Sequence, residues 1–270
     1  MYKEEYKNLY IQGDTNEEAF QRLVEIVKVL RKECPWDKAQ THMSLTKCML
    51  EEAYEVVEAI NNQDIENIKE ELGDVLLQVV FHGTLGEENG NLAIKDIVNG
   101  ECDKMIRRHP HIFLEENVKT IDKALEKWEN MKSKEQGLES HTQRLKNVPV
   151  ALPALMRSYK IQKRAADVGF DWDNINEAFS KIEEESLELS EAIKSGDKKD
   201  MTEELGDLLF SVVNVSRFLD IDPEEALNRT SLKFIKRFEF IEGQALSQSK
   251  NLKDMTIEEM DRLWNESKLI

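Results

Sequence analysis

Six carboxylates recur at one spacing in this chain of 270 residues: Glu51, Glu52, Glu55, Glu58, Glu71 and Asp74 reappear as Glu184, Glu185, Glu188, Glu191, Glu204 and Asp207. Every pair is separated by 133 positions, and the register runs without a gap from Glu51–Phe81 to Glu184–Asn214. Carboxylates clustered with no Cys or His nearby offer all-oxygen ligation. That donor set suits a hard divalent cation, Mg²⁺ or Mn²⁺, over zinc or copper.

The elements that must position these acids are two helices per copy. At about 100° per residue, Met49, Leu50, Ala53, Val56, Val57 and Ile60 gather on one side of a first helix and Glu51, Glu52, Glu55 and Glu58 on the other. In the second helix Leu72, Val75, Leu76, Val79 and Val80 cover most of the circumference. They leave a narrow strip of Glu70, Glu71, Asp74 and Gln78, the pattern of a buried helix. Glu71 and Asp74 are therefore expected to point into the protein or into a cleft. Buried carboxylates are costly unless paired or metal-bound, and the facing strip supplies more acids rather than Lys or Arg. An acidic face alone is commonly just a solvated surface in a chain with 54 Asp+Glu against 37 Lys+Arg. The second acid pair on an apolar helix, together with the gapless repetition, argues for a metal site.

The repeat implies two similar halves: residues 1–135, a polar linker at 136–150, and 151–270. Few glycines (11) and prolines (5) with 34% charged residues suit an all-α fold. A net charge of -17 argues against a nucleic acid polymer or an anionic membrane as partner, since either needs a basic face. Cys34, Cys48 and Cys102 fit neither a disulfide framework nor a zinc knuckle and read as buried free thiols. No stretch reaches the roughly 18–20 apolar residues of a membrane helix, and the N-terminus lacks a secretory pattern. A cytoplasmic location is expected.

Along the chain, residues 1–15 read as a poorly ordered lead-in, with Asp14 or Thr15 as a helix cap. A helix from Glu17 carries Leu23, Ile26, Val27 and Leu30 on one face and ends at Pro35, and CPWDKAQTH follows as a loop. Trp36 and its counterpart Trp172 read as aromatic plugs closing the helix bundle or as ligand contacts, with no catalytic role. Gly86–Gly90 reads as a turn before a helix over about Ile94 to Arg108. Lys104 and Arg108 share a face of that helix, and Lys233 and Arg237 repeat the pair; both could hold phosphate oxygens. Trp128 with Lys132, and Trp264 with Lys268, put an aromatic and a cation at helical spacing, able to stack a base and meet a phosphate. His109 and His111 flank Pro110 in a helix-ending turn, while His42, His82 and His141 read as isolated and structural. The second half opens with a helix holding Leu155, Tyr159, Ile161 and Ala165 and ending near Gly169.

From about residue 16 to the end, the segments CPWDKAQTH and RRHPHIF and the two EExxE…ELGD units closely resemble the MazG family of nucleoside triphosphate pyrophosphohydrolases, within the all-α NTP pyrophosphatase superfamily. The family motif, Glu-x-x-Glu, a spacer and Glu-x-x-Asp, falls on Glu52, Glu55, Glu71 and Asp74 and again on Glu185, Glu188, Glu204 and Asp207. The resemblance implies Mg²⁺-dependent cleavage of NTPs and dNTPs between the α and β phosphates, giving the monophosphate and pyrophosphate. Mn²⁺ is a possible substitute. It further implies substrate contacts at Lys233, Arg237, Trp264 and Lys268, with Lys104, Arg108, Trp128 and Lys132 as first-half counterparts. A homodimer in which a partner helix completes a four-helix bundle at each site also follows. In some members only the C-terminal domain is active. Glu184 or Glu51, beside the metal ligands, is the expected base that orients the attacking water. The rival expectation is a helical nucleotide-sensing or protein-binding module without turnover. A di-iron bundle is set aside, because neither acid cluster carries Glu-x-x-His.

Overall fold

A computed structural model of the chain describes residues 3–113, 120–121, 123–124, 127–128, 131 and 140–269, and all regular structure among them is helical. The chain divides into two units, Met1–Lys132 and Ser133–Ile270.

In the first unit, helix α1 (Asn16–Glu33) starts at a capping box: Glu18 donates its backbone N–H to the Thr15 side chain and its own carboxylate reaches back. The segment before it is not irregular. Glu4–Tyr10 is a 3₁₀ helix, tied down where Arg22 Nε donates to the Leu9 carbonyl at 2.7 Å. Pro35 stops α1 but also opens α2 (Pro35–Ala39), since proline at the first helical position sacrifices no needed N–H. Part of the expected CPWDKAQTH loop is therefore helical. Helices α3 (Thr46–Asn61) and α4 (Ile65–Asn89) form a hairpin that carries the first acid set, and α5 (Ile94–Arg108) and the short α6 (Pro110–Phe113) follow.

Helix α4 continues through the expected Gly86–Gly90 turn. Gly86 sits inside it because a Cβ there would come within 2.5 Å of Leu92 Cβ, and the chain turns only at Gly90, whose φ of +70° is left-handed. Val24, Val27, Leu45, Val80, Phe81 and Leu85 form the core, so α4 is buried along its C-terminal half. Its first turns are not: Leu72 is 51% and Leu76 40% exposed, against 0% for Val80. The expectation of a wholly buried helix fails there, because α1 and the core residues meet α4 farther along.

The second unit repeats the hairpin. Helix α7 (His141–Lys146) is capped by Ser140 and packs on α8 (Ala154–Ala166), so residues 141–146 of the stretch read as linker are structured. Helices α9 (Ile175–Ser195) and α10 (Lys198–Phe218) form the second acid-bearing hairpin. Its turn uses Gly196 at φ +78° and Asp197 as N-cap. Helix α10 packs on α8, α8 on α11 (Pro223–Ser247), and α11 on α12 (Ile257–Ser267).

Candidate metal and nucleotide site

A helical turn separates Glu52 from Glu55 on α3, and α4 brings Glu71 opposite, so that one oxygen from each lies within 4.8 Å of the others. Glu185, Glu188 and Glu204 on α9 and α10 meet in the same way. Asp74 and Asp207 stand one turn beyond, near enough for their charge to be felt. Desolvation first, then Asp74 and Glu55, raises the Glu52 carboxyl, and desolvation with Glu55 and Asp74 raises Glu71. In the second unit desolvation, then Glu188 and Asp207, raises Glu204. Like charges gathered at this spacing lower their mutual cost by binding a cation. Convergent hard oxygens, with no His or Cys in either group, fit Mg²⁺ or Mn²⁺.

The expected bases sit beside these groups, each in an ion pair. Glu51 meets Lys47 at 3.2 Å and Glu184 meets Lys181 at 2.8 Å. Lys181 also bonds the buried Glu185 at 2.8 Å, and the two carboxylates raise the lysine. Its counterpart in the first copy is Cys48, so the second cluster alone has a lysine at this position.

Of the expected substrate residues of the second unit, the structure brings Arg237 and Trp264 together. Arg237 lies over the Trp264 ring at 5.4 Å, and Phe234 packs on the same ring at 5.1 Å. Lys268 donates to Asn265 Oδ1 at 2.7 Å, and Lys233 is exposed on α11. In the first unit Arg108 lies over Trp128 at 5.7 Å and Lys104 pairs with Glu101. Lys132 lies outside the described residues. Other expectations change: Trp36 is 60% exposed and plugs nothing, and Cys102 is exposed, though Cys34, Cys48 and Cys102 are all free. His42 and His82 are not isolated, for their Nδ1 atoms lie 2.7 Å apart with the rings stacked. Burial, then the neighbouring His42, lowers His82.

Beside the second acid cluster opens a cavity of about 520 Å³ that the sequence reading missed. Lys181, Glu185 and Asp207 line it together with Gln162, Phe170, Trp172, Phe210, Asn214 and Arg217. A signal existed in the repeat itself. Where the first copy has Cys48, Phe81 and Thr84, the second has Lys181, Asn214 and Arg217, polar for apolar or charged for neutral.

Two helical units in tandem, each with a carboxylate-bearing hairpin, define an all-α protein of duplicated design, and the comparisons identify which. Residues 40–113 and 175–240 match the MazG nucleotide pyrophosphohydrolase domain, and the chain belongs to the MazG family. It is 41% identical over 251 residues to the nucleoside triphosphate pyrophosphohydrolase/pyrophosphatase MazG of Thermotoga maritima, covering 92% of this chain and 95% of that one. It is 37% identical to the nucleoside triphosphate pyrophosphohydrolase of Escherichia coli K12, covering 92% and 96%. The crystal structure of a MazG-related protein from T. maritima aligns at 26% identity and a TM-score of 0.38, over 42% of this chain and 98% of its own.

Proposed function

We propose that the protein is a nucleoside triphosphate pyrophosphohydrolase that cleaves NTPs and dNTPs between the α and β phosphates, dependent on Mg²⁺, with its principal site in the second unit. The observation that carries this reading is the convergence of Glu185, Glu188 and Glu204, with Glu185 and Asp207 on the wall of a cavity large enough for a nucleoside. Membership of the family supports it.

Glu185, Glu188, Glu204 and Asp207 would hold the metal, and Glu52, Glu55, Glu71 and Asp74 its first-unit equivalent. When bound, a divalent ion supplies charge neutralisation at the phosphates and a more acidic water. The protein's own groups supply the rest. Glu184 orients a water and takes its proton as the water oxygen bonds to the α phosphorus. The bond from that phosphorus to the bridging oxygen then breaks, and pyrophosphate leaves with the electron pair. Lys181, paired with Glu184 and Glu185 in this structure, would be free to meet phosphate oxygens where a divalent ion took over the Glu185 carboxylate. Lys233, Arg237, Trp264 and Lys268 act as the remaining phosphate and stacking contacts.

The protein works as a homodimer in the cytoplasm. The exposed apolar residues of the acid hairpins, Leu72 and Leu76 in the first unit and Leu205 and Leu209 in the second, support such a partner, because contiguous apolar helix faces are buried by association. The acidic balance disfavours a nucleic acid polymer as partner, and no helix among the described residues is long and apolar enough to cross a membrane.

The test is pyrophosphate release from a panel of NTPs and dNTPs with Mg²⁺, comparing wild type, Glu71→Gln, Glu204→Gln and the double variant. Loss with Glu204→Gln alone assigns the second unit as the enzyme, and loss only in the double variant assigns both. No release by wild type from any nucleotide refutes the hydrolase reading and leaves a sensing or binding module.

A further inference from the structure

We infer that Asp171 and Arg217 form a strap that presets the loop carrying Trp172, and that the two are positioning residues which set the affinity of the second unit for its substrate rather than the rate of the chemical step. The inference deepens the functional reading above and rests on it for the identity of that substrate as a nucleotide.

The loop is anchored at both ends by its own helices. Helix α8 closes in a Schellman turn, with Gly169 at φ +83° and the Phe170 N–H donating to the Ala165 carbonyl at 3.1 Å. Helix α9 opens at Asn174, whose side chain accepts from the Asn176 and Glu177 N–H groups. Between these anchors run Asp171, Trp172 and Asp173. Trp172 is 41% exposed, so its place depends on the backbone that carries it. Asp171 ties that backbone to another helix. Its Oδ1 accepts from the Trp172 N–H at 2.9 Å and also from Arg217 Nη2 on α10. One carboxylate oxygen therefore joins the Trp172 backbone to α10.

The α10 end of the strap is itself held. The same Nη2 donates to Asn214 Oδ1 at 2.9 Å, one turn back, and the guanidinium lies over the Phe218 ring at 4.7 Å. The Arg217 and Asp171 side chains are 13% and 26% exposed, and a pair so shielded escapes much of the screening that weakens surface ion pairs. Asp171, Trp172 and Arg217 all line the cavity that Glu185 and Asp207 also line. The strap thus borders the space it shapes.

The first unit lacks both ends together. Pro35 precedes Trp36 where Asp171 precedes Trp172, and Thr84 stands in the register of Arg217. Trp36 lies in helix α2, and the Thr84 hydroxyl turns back to the Val80 carbonyl at 2.9 Å. Arg31 of α1 holds the Asp37 carbonyl there, a backbone contact and not a carboxylate strap. Loss of both partners in the same copy is what a paired device predicts.

A wall ordered in advance need not be ordered by the ligand. Fixing the backbone of one released residue on binding weakens affinity by about tenfold. The acids on α9 and the start of α10 make no bond to the strap, so the loss belongs in KM and leaves kcat in place.

The experiment labels the full chain with fluorotryptophan and reads Trp172 by fluorine NMR, its resonance assigned by its absence in Trp172→Phe. Steady-state kinetics follow on the best nucleotide of the panel with Mg²⁺. The variants are Asp171→Ala, Arg217→Met, the two combined, and Arg217→Lys, each checked by thermal melting. Both single variants are expected to shift or broaden the Trp172 resonance while those of Trp36 and Trp128 stay in place. Each should raise KM about tenfold with kcat within about twofold, and the double variant should be no worse than either single one. Arg217→Lys should return KM most of the way to wild type. Should Arg217→Met not fold, Asp171→Ala with Arg217→Lys decides by the same criteria. A Trp172 resonance unmoved in Asp171→Ala, KM losses that multiply in the double variant, or a fall in kcat at unchanged KM overturns the inference. If wild type releases no pyrophosphate, the hydrolase reading fails, and the strap is judged by Kd for the same nucleotides in calorimetry. The same pattern in Kd upholds it, and an unchanged or undetectable Kd overturns it.

Discussion

Replacing Glu204 with Gln removes one of three carboxylates that converge within 4.8 Å, and its consequence for cation-dependent stability can be worked through. A cation at about 100 times its dissociation constant stabilises the fold by about 2.7 kcal/mol. In a unit of this size that corresponds to a rise in Tm of roughly 8–11 °C. Loss of groups that merely support a metal ligand costs about 10–100-fold in affinity, so loss of a ligand belongs near the upper end. A cation bound about 100-fold more weakly leaves a shift of only about 1–2 °C at the same concentration. Differential scanning fluorimetry of the full chain, in EDTA and in saturating Mg²⁺ or Mn²⁺, reads both numbers. Because the first unit has its own cluster, the comparison is made in a Glu71→Gln background. Glu191→Gln, an exposed acid on α9 outside the cluster, is the control and should keep the full shift. Equal shifts in Glu204→Gln and in its parent would refute the assignment of these carboxylates as ligands.

The same cluster sets a pH dependence. Burial and neighbouring acids hold Glu52, Glu71 and Glu204 above their ordinary 4.5, so the folded state binds these protons more tightly than the unfolded chain. Their favourable contribution is complete below 4.5 and is lost as pH rises through the folded values. In EDTA, Glu204→Gln should therefore gain Tm over wild type at pH 7.5 and gain less at pH 4.5; thermal melts showing a gain independent of pH would contradict the cause assigned. For the dimer, sedimentation velocity should give twice the 31.4 kDa chain mass, and Leu205→Glu with Leu209→Glu should shift the protein toward the monomer. A wild-type monomer at assay concentration would exclude that assembly.

Much of the fold was legible because local rules govern it. Thr15 followed by Glu18 announces the start of α1, and the apolar period places α5 over Ile94–Arg108. The acid sets were legible because helical spacing brings i and i+3 together whatever surrounds them. Long-range packing was not legible. Nothing local in Gly86 says that Leu92 will press on it, and nothing near His42 points to His82, forty residues away. Exposure of Leu72 and Leu76 was hidden for a related reason: an apolar stripe reads alike whether its cover comes from the same chain or from another.

The cavity escaped for a more specific reason, and it bears on how the two units divide their labour. A repeat draws attention to what its copies share, and they share the carboxylates. The residues that distinguish the second unit, Lys181, Asn214 and Arg217, occupy positions where the copies disagree, and Gln162 comes from a helix outside the gapless register altogether. Metal chemistry requires only converging oxygens, which both hairpins provide. An open volume beside the acids is a separate matter: the second unit has one lined by Asn214, and at that position the first unit has Phe81, 4% exposed in its hydrophobic core. Exchanging Phe81 for Asn214 changes that wall while leaving the carboxylates of both hairpins converged. The acids and the wall beside them thus vary independently between the two units.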